Sequence, residues 1–189
     1  MKLLLPSMSR KPLVAVIRLQ GVIASGSPAR LNDITLAPMI EKAFRRGKPK
    51  AVALVLNSPG GSPVQSSLIA TRIRRLSEEK GIPVIAFVED VAASGGYWLA
   101  TAADEIYADQ NSIIGSIGVI SAGFGFDKFI GRYGIDRRVY TSGESKSMLD
   151  PFRPAKDEDV ARLKELQNQI HDTFKSQVRN RRGAKLADD

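Results

Sequence analysis

Apolar and polar positions alternate in blocks whose period switches repeatedly between strand-like and helix-like. Pro12 to Leu19 is a β-branched apolar run ending near Gly21 and predicts a buried strand. Asn32, Asp33 and Thr35 offer cap oxygens ahead of Leu36, Met39, Ile40, Ala43 and Phe44, which recur at helical spacing until Gly47 stops them. Ala51 to Leu56 is almost wholly apolar, as in a strand covered on both faces. Val64, Leu68, Ile69, Ile73 and Leu76 mark an amphipathic helix that fades before Gly81. Pro83 to Val88 predicts a third buried strand, Gly95 to Ala103 a helix, and Glu105 to Ala108 a short strand. Ile113 to Ile120, apolar but broken by glycine, is either strand or loop. Asp127 to Tyr133 predicts a short helix closed by Gly134, and Arg137 to Tyr140 a last strand. Val160, Leu163, Leu166, Ile170, Phe174 and Val178 then repeat every three or four residues and predict a long terminal helix. Alternation of this kind implies an α/β fold with a largely parallel sheet.

The 189 residues are 43% apolar, enough for one compact domain with a real core and too many for a disordered chain. No apolar run reaches the roughly 18–20 residues of a membrane-spanning helix. Leu3 to Leu5 meets Pro6 at once, which is too short for a cleaved leader. The absence of cysteine excludes disulfides, thiolate metal sites and a cysteine nucleophile, and a single histidine nearly removes His-based metal sites. The net charge of +8 comes largely from pairs such as Arg45-Arg46, Arg74-Arg75, Arg137-Arg138 and Arg181-Arg182 on separate segments. With only 6% aromatic residues and none interleaved with these pairs, they read as solvated faces more readily than as a surface for nucleic acid or anionic lipid.

Two strand-to-helix turns stand out. Asn57-Ser58-Pro59-Gly60-Gly61-Ser62 follows a buried strand and precedes a helix, so it is either a tight turn that needs glycine or a set of amides aimed at a developing negative charge. In Val91-Ala92-Ala93-Ser94-Gly95-Gly96-Tyr97-Trp98 the Ser94 hydroxyl is flanked only by small residues. Ser94 is either an N-cap or a nucleophile with the Gly95 amide beside it. A nucleophilic serine needs a base. His171 is in the middle of the long helix, next to Asp172, where a surface role is the ordinary one. Lysine is the other base available once burial disfavours its ammonium. Lys146 lies in a Gly/Ser loop, Thr141 to Lys146, that runs into the apolar Met148-Leu149 and Phe152. Ser77-Glu78-Glu79-Lys80 has a Ser-x-x-Lys spacing without any companion motif, and Gly123-Phe124-Gly125 lacks the third glycine of a dinucleotide loop.

In order along the chain, SPGG, ASGGYWLA, GSIGVI at Gly115 to Ile120, and SGESKSMLDPFRP resemble the signal peptide peptidase A group of serine proteases. The resemblance runs from about Val14 to Asp189. It implies a ClpP/crotonase-like fold and a Ser-Lys dyad in a serine endopeptidase acting on apolar peptides such as leftover signal peptides, without a cofactor. Position by position, Ser94 resembles the nucleophile, Lys146 the general base and Ser116 the residue that orients the lysine amine. The amides of Gly61 and Gly95 match the oxyanion hole. In family chains with one such half, the serine and lysine of a site come from neighbouring subunits, so a homo-oligomer is implied. The expected organisation is an N-terminal extension over 1–12 and a single protease domain over 13–189 lacking its C-terminal end. The expected location is cytoplasmic or peripheral to a membrane. Rival readings are a Ser-His-Asp protease using His171, an acyl-CoA-type enzyme of the same fold, and a non-proteolytic oligomeric scaffold.

Overall fold

The computed structural model describes residues 12–26, 29–143 and 145–186; of the expected extension over 1–12, all but Pro12 lie outside them. Five strands form one parallel sheet: β1 (Val14–Gln20), β2 (Ala51–Ser58), β3 (Val84–Ala93), β4 (Glu105–Ala108) and β5 (Ile113–Gly115). The order is β1-β2-β3-β4, with β5 also paired to β3. Five helices alternate with or follow them: α1 (Asp33–Arg45), α2 (Pro63–Lys80), α3 (Gly95–Ala100), α4 (Asp127–Arg132) and α5 (Asp157–Arg182). The expected largely parallel α/β fold with a long C-terminal helix is what forms.

Local chemistry sets the helix ends. Asn32 caps α1, its Oδ1 accepting from the Thr35 amide at 3.0 Å. Ser62 caps α2 ahead of Pro63, whose missing N–H costs nothing in a first turn, and Gly81 closes the helix at φ 61°. Side chains on alternate strand positions, Ile17 and Leu19, Val52, Leu54 and Leu56, Val84, Ala86 and Val88, are buried, as are Ile40 and Phe44 of α1 and Ile69 and Ile73 of α2. The opposite face of the sheet is more open than the apolar runs imply. Val14 and Val16 are 51% and 61% exposed, and Phe87 stacks on Tyr107 at 5.6 Å on that side.

Two expectations fail and one left open is settled. Helix α3 stops at Ala100 instead of Ala103, because Thr101 Oγ1 donates to the Trp98 carbonyl and the amides of Ala102 and Ala103 reach back only three residues. The Ile113–Ile120 segment is a strand only as far as Gly115, where φ of 102° at Gly115 and 52° at Ser116 turn the chain away. Residues 137–140 form no strand, since among the described residues no ladder partner lies beside them.

By its contacts the chain divides into two units: one runs to Ile117 and resumes at Ser176, and the other is Gly118–Lys175. The second unit holds α4, an aromatic group of Phe124, Phe126 and Phe152, and most of α5.

Helices α1 and α2 are joined by a two-pronged ion pair, Arg72 Nε and Nη2 each donating at 2.7 Å to Asp33. The guanidinium hydrogen bonds hold the Asp33 carboxyl below its ordinary pKa, against a smaller opposing effect of burial. A depressed carboxylate contributes stability that is full above the unfolded pKa and is lost as pH falls through the folded one. Asp33→Asn should therefore cost about 1.5–3 kcal/mol at neutral pH. Its urea midpoint should also fall less steeply than the wild type's on going into acid, and parallel curves would refute the assignment.

Candidate active site

Ser94 occupies the turn between β3 and α3 with φ 52° and ψ −121°, a left-handed conformation that a serine adopts only when its surroundings impose it. Two backbone bonds do so. The Ser94 amide donates to the Gly115 carbonyl at 2.8 Å, and the Ser94 carbonyl accepts from the Trp98 amide at 3.0 Å. Its hydroxyl makes no capping bond to α3. The N-cap alternative is therefore not the one the fold uses, and the half-buried side chain is left for other work.

The Asn57–Ser62 turn meets the Ser94 turn backbone to backbone. A Cβ built on Gly60 would lie 2.7 Å from the Gly95 nitrogen and 2.9 Å from Ser94 Cβ. One on Gly61, where φ is 144°, would strike the Ile23 carbonyl. Both distances are shorter than real Cβ contacts, so only glycine lets these loops touch. The Gly61 nitrogen in turn sits 3.3 Å from where a Gly95 Cβ would be. Around it the neighbouring bonds are taken: Ile23 N donates to Gly60 O, and Ser62 N donates to Ile23 O. Among the described residues the amides of Gly61 and Gly95 donate to no acceptor. Two N–H groups without an acceptor among the described residues thus lie at the Ser94 turn, at the C-terminal edge of a parallel sheet.

Two buried hydroxyls that sequence reasoning passed over hold this arrangement. Ser58, fully buried at the end of β2, donates to the Gly21 carbonyl at 2.7 Å and accepts from the Gly60 amide at 3.2 Å. Ser66, also fully buried, donates to the Ser62 carbonyl at 2.9 Å, and its oxygen fills the space a Gly95 Cβ would need. The signal was a serine ending an apolar strand beside Pro-Gly-Gly, a place where a side-chain hydroxyl has only backbone to bond.

Ser116, exposed and with φ 52°, follows directly on the Gly115 carbonyl that holds Ser94. Ser94, Ser116, Gly61 and Gly95 all belong to the first unit. Lys146 belongs to the second, in the turn over 145–149, and is exposed there while Met148 and Leu149 are half-buried. His171 is half-buried on α5, and the adjacent Asp172 pairs with Lys175 at 2.7 Å. No three His, Asp or Glu side chains among the described residues converge as metal ligands would.

The sequence pattern of peptidase family S49 matches residues 77–188, more than half of the chain. The chain belongs to peptidase family S49. It is 52% identical, over 93% of its length, to 24% of a Brucella melitensis protein named Na+/H+ antiporter NhaA. It is 39% identical, over 65% of its length, to 20% of Protease 4 of Haemophilus influenzae. It is 29% identical, over 88% of its length, to 49% of the putative signal peptide peptidase SppA of Enterococcus faecium. The chain spans between about a fifth and a half of the length of these relatives. Among its described residues no helix is long and apolar enough to cross a membrane.

Ser58→Ala would strand the Gly21 carbonyl and the buried Gly60 amide at once. The expected cost is about 1–3 kcal/mol by urea denaturation, with a parallel loss of whatever reactivity Ser94 shows. A variant as stable and as reactive as the wild type would contradict the bracing role.

Proposed function

We propose that this member of the S49 family hydrolyses peptide bonds through a Ser94–Lys146 dyad. The observation that carries the reading is a strained, uncapped serine flanked by two uncommitted amides; the S49 match supports it. In the proposed reaction, Lys146, made neutral by the cover of the neighbouring copy and oriented by the Ser116 hydroxyl, takes the Ser94 proton as the serine oxygen attacks the scissile carbonyl carbon. The oxyanion so formed accepts from the Gly61 and Gly95 amides, each such donor being worth on the order of 10²–10³ in rate. The lysine then gives its proton to the leaving amine as the C–N bond breaks. Water, deprotonated by the same amine, attacks the acyl ester and releases Ser94.

The base of one protomer serves the serine of its neighbour in this reading, which makes the enzyme a homo-oligomer. The second unit supports that. Among its described residues Phe174 is the only buried apolar side chain, while Ile120, Phe124 and Tyr140 are 87%, 80% and 91% exposed. A unit with so little core of its own suits a surface that another copy covers. The substrates proposed are apolar peptides such as leftover signal peptides, in line with the name borne by the Enterococcus faecium relative.

A fluorophosphonate probe followed by intact-mass analysis tests this directly. The wild type should gain one probe adduct, Ser94→Ala and Lys146→Ala should gain none, and His171→Ala should label as the wild type does. Undiminished labelling of Lys146→Ala would remove the lysine from the mechanism. Loss of labelling in a correctly folded His171→Ala would restore histidine as the base.

A further inference from the structure

The positive charge reads as spread evenly along the chain; in three dimensions it is not evenly spent. Residues 42–50 hold Lys42, Arg45, Arg46, Lys48 and Lys50 with no acidic residue among them. All five are exposed, and among the described residues none forms an ion pair. At the basic end of α5, by contrast, Arg181 pairs with Asp104, and Lys185 just beyond it with Glu105. The macrodipole of α1 accounts for Lys42 and Arg45, which lie in its last turn. It does not account for Arg46, Lys48 and Lys50, which stand beyond the last helical residue.

The same loop borders an open groove of about 380 Å³ lined by Leu13, Ala15, Met39 and Ala43, with Lys42 and Arg46 on its rim. Leu13 and Met39 are 45% and 38% exposed. The loop is held in place: the Lys50 amide donates to the Leu13 carbonyl at 2.8 Å, Pro49 is buried, and a Cβ on Gly47 would come within 2.6 Å of Leu13 Cδ2. An apolar groove lined in part by Lys42 and Arg46, with further unpaired cations on the adjoining loop, matches one kind of surface, anionic headgroups above an acyl layer. Nucleic acid would ask for exposed rings among the cations, and the only aromatic residue in the stretch, Phe44, is buried.

We propose that the α1–β2 corner docks on an anionic lipid surface, its cations against headgroup phosphates and Leu13 and Met39 entering the interface. This stands apart from the peptidase reading, and probe labelling of Ser94 reports on that reading separately.

The test is partition of the full chain onto vesicles. Mixed phosphatidylglycerol and phosphatidylcholine should bind it, pure phosphatidylcholine should not, and added salt should weaken the binding. Each cation removed should cost about fivefold, so Arg46→Gln, Lys48→Gln and Lys50→Gln together should lower the partition coefficient on the order of 100-fold. Lys128→Gln, Arg132→Gln and Lys164→Gln, an equal charge change in the second unit, should leave it unchanged; an equal loss would overturn the proposal. Because the chain lacks cysteine, Met39→Cys can carry a polarity-sensitive dye. The dye should shift to the blue on the mixed vesicles and not with inorganic phosphate alone. No shift on vesicles, or the same shift with phosphate, would refute docking on lipid. A changed oligomeric state of the triple variant in lipid-free sedimentation would give the face to a second copy and refute it too.

Discussion

The contact on which the site depends is between two backbones. The turn after β2 and the turn after β3 leave neighbouring parallel strands at the same edge of the sheet, so they emerge side by side. They can close to the 2.7 Å separation between a Gly60 Cβ position and the Gly95 nitrogen only because no side chain stands between them. That approach brings the Gly61 and Gly95 amides together at the Ser94 turn. It also explains why the strain at Ser94, of the order of 1–3 kcal/mol for such a conformation, is sustained. The Gly115 carbonyl holds one side of the residue, and the buried Trp98 and Leu99 of α3 hold the other.

Strand β3 makes this possible by changing partners along its length. Its first half pairs with β4, from Ile85 to Val88, and its second half with β5, from Val91 to Ala93. Between Leu56–Val88 and Ser58–Ala92 one residue of β2, Asn57, opposes three of β3, Glu89 to Val91, and the ladder bulges. The irregularity is pinned: Ser112 Oγ donates to the Glu89 carbonyl at 2.6 Å, and Asn57 donates to Asp90 at 2.7 Å. Charge is handled with the same economy elsewhere in the first unit. Asp104 accepts from the Val84 amide, Arg74 and Arg181 together, tying α2, the edge of the sheet and the end of α5 to one carboxylate.

Much of the architecture was legible in the chain. Strands β1 to β4, helices α1 and α2 and the long α5 follow from period and caps, because a buried face imposes its spacing on consecutive residues. Residues 137–140 show where that inference stops: a short segment ending in Val139 and Tyr140 is a strand only if another strand lies beside it, which no local pattern reports. The alternation on β1 shows a second limit, since a run of apolar residues does not say whether both faces are covered. At the site, Ser94 and the paired glycines were conspicuous by their small neighbours. Ser58 and Ser66 were not, for a buried hydroxyl looks like any other serine until its backbone partners are in place.

Residue order alone determined which turns follow strands, where glycine permits close approach, and which few side chains are candidates for attack and proton transfer. These are properties of a residue and its immediate neighbours, and propensity and steric bulk act at that range. Tertiary structure decided that Ser94 spends no bond on capping its helix, that the Gly61 and Gly95 amides meet no acceptor among the described residues, and that carboxylates reach Arg181 and Lys185 but none of the cations over 42–50. Those outcomes depend on which distant atoms arrive first at a donor or a charge, and only the packed chain settles that competition.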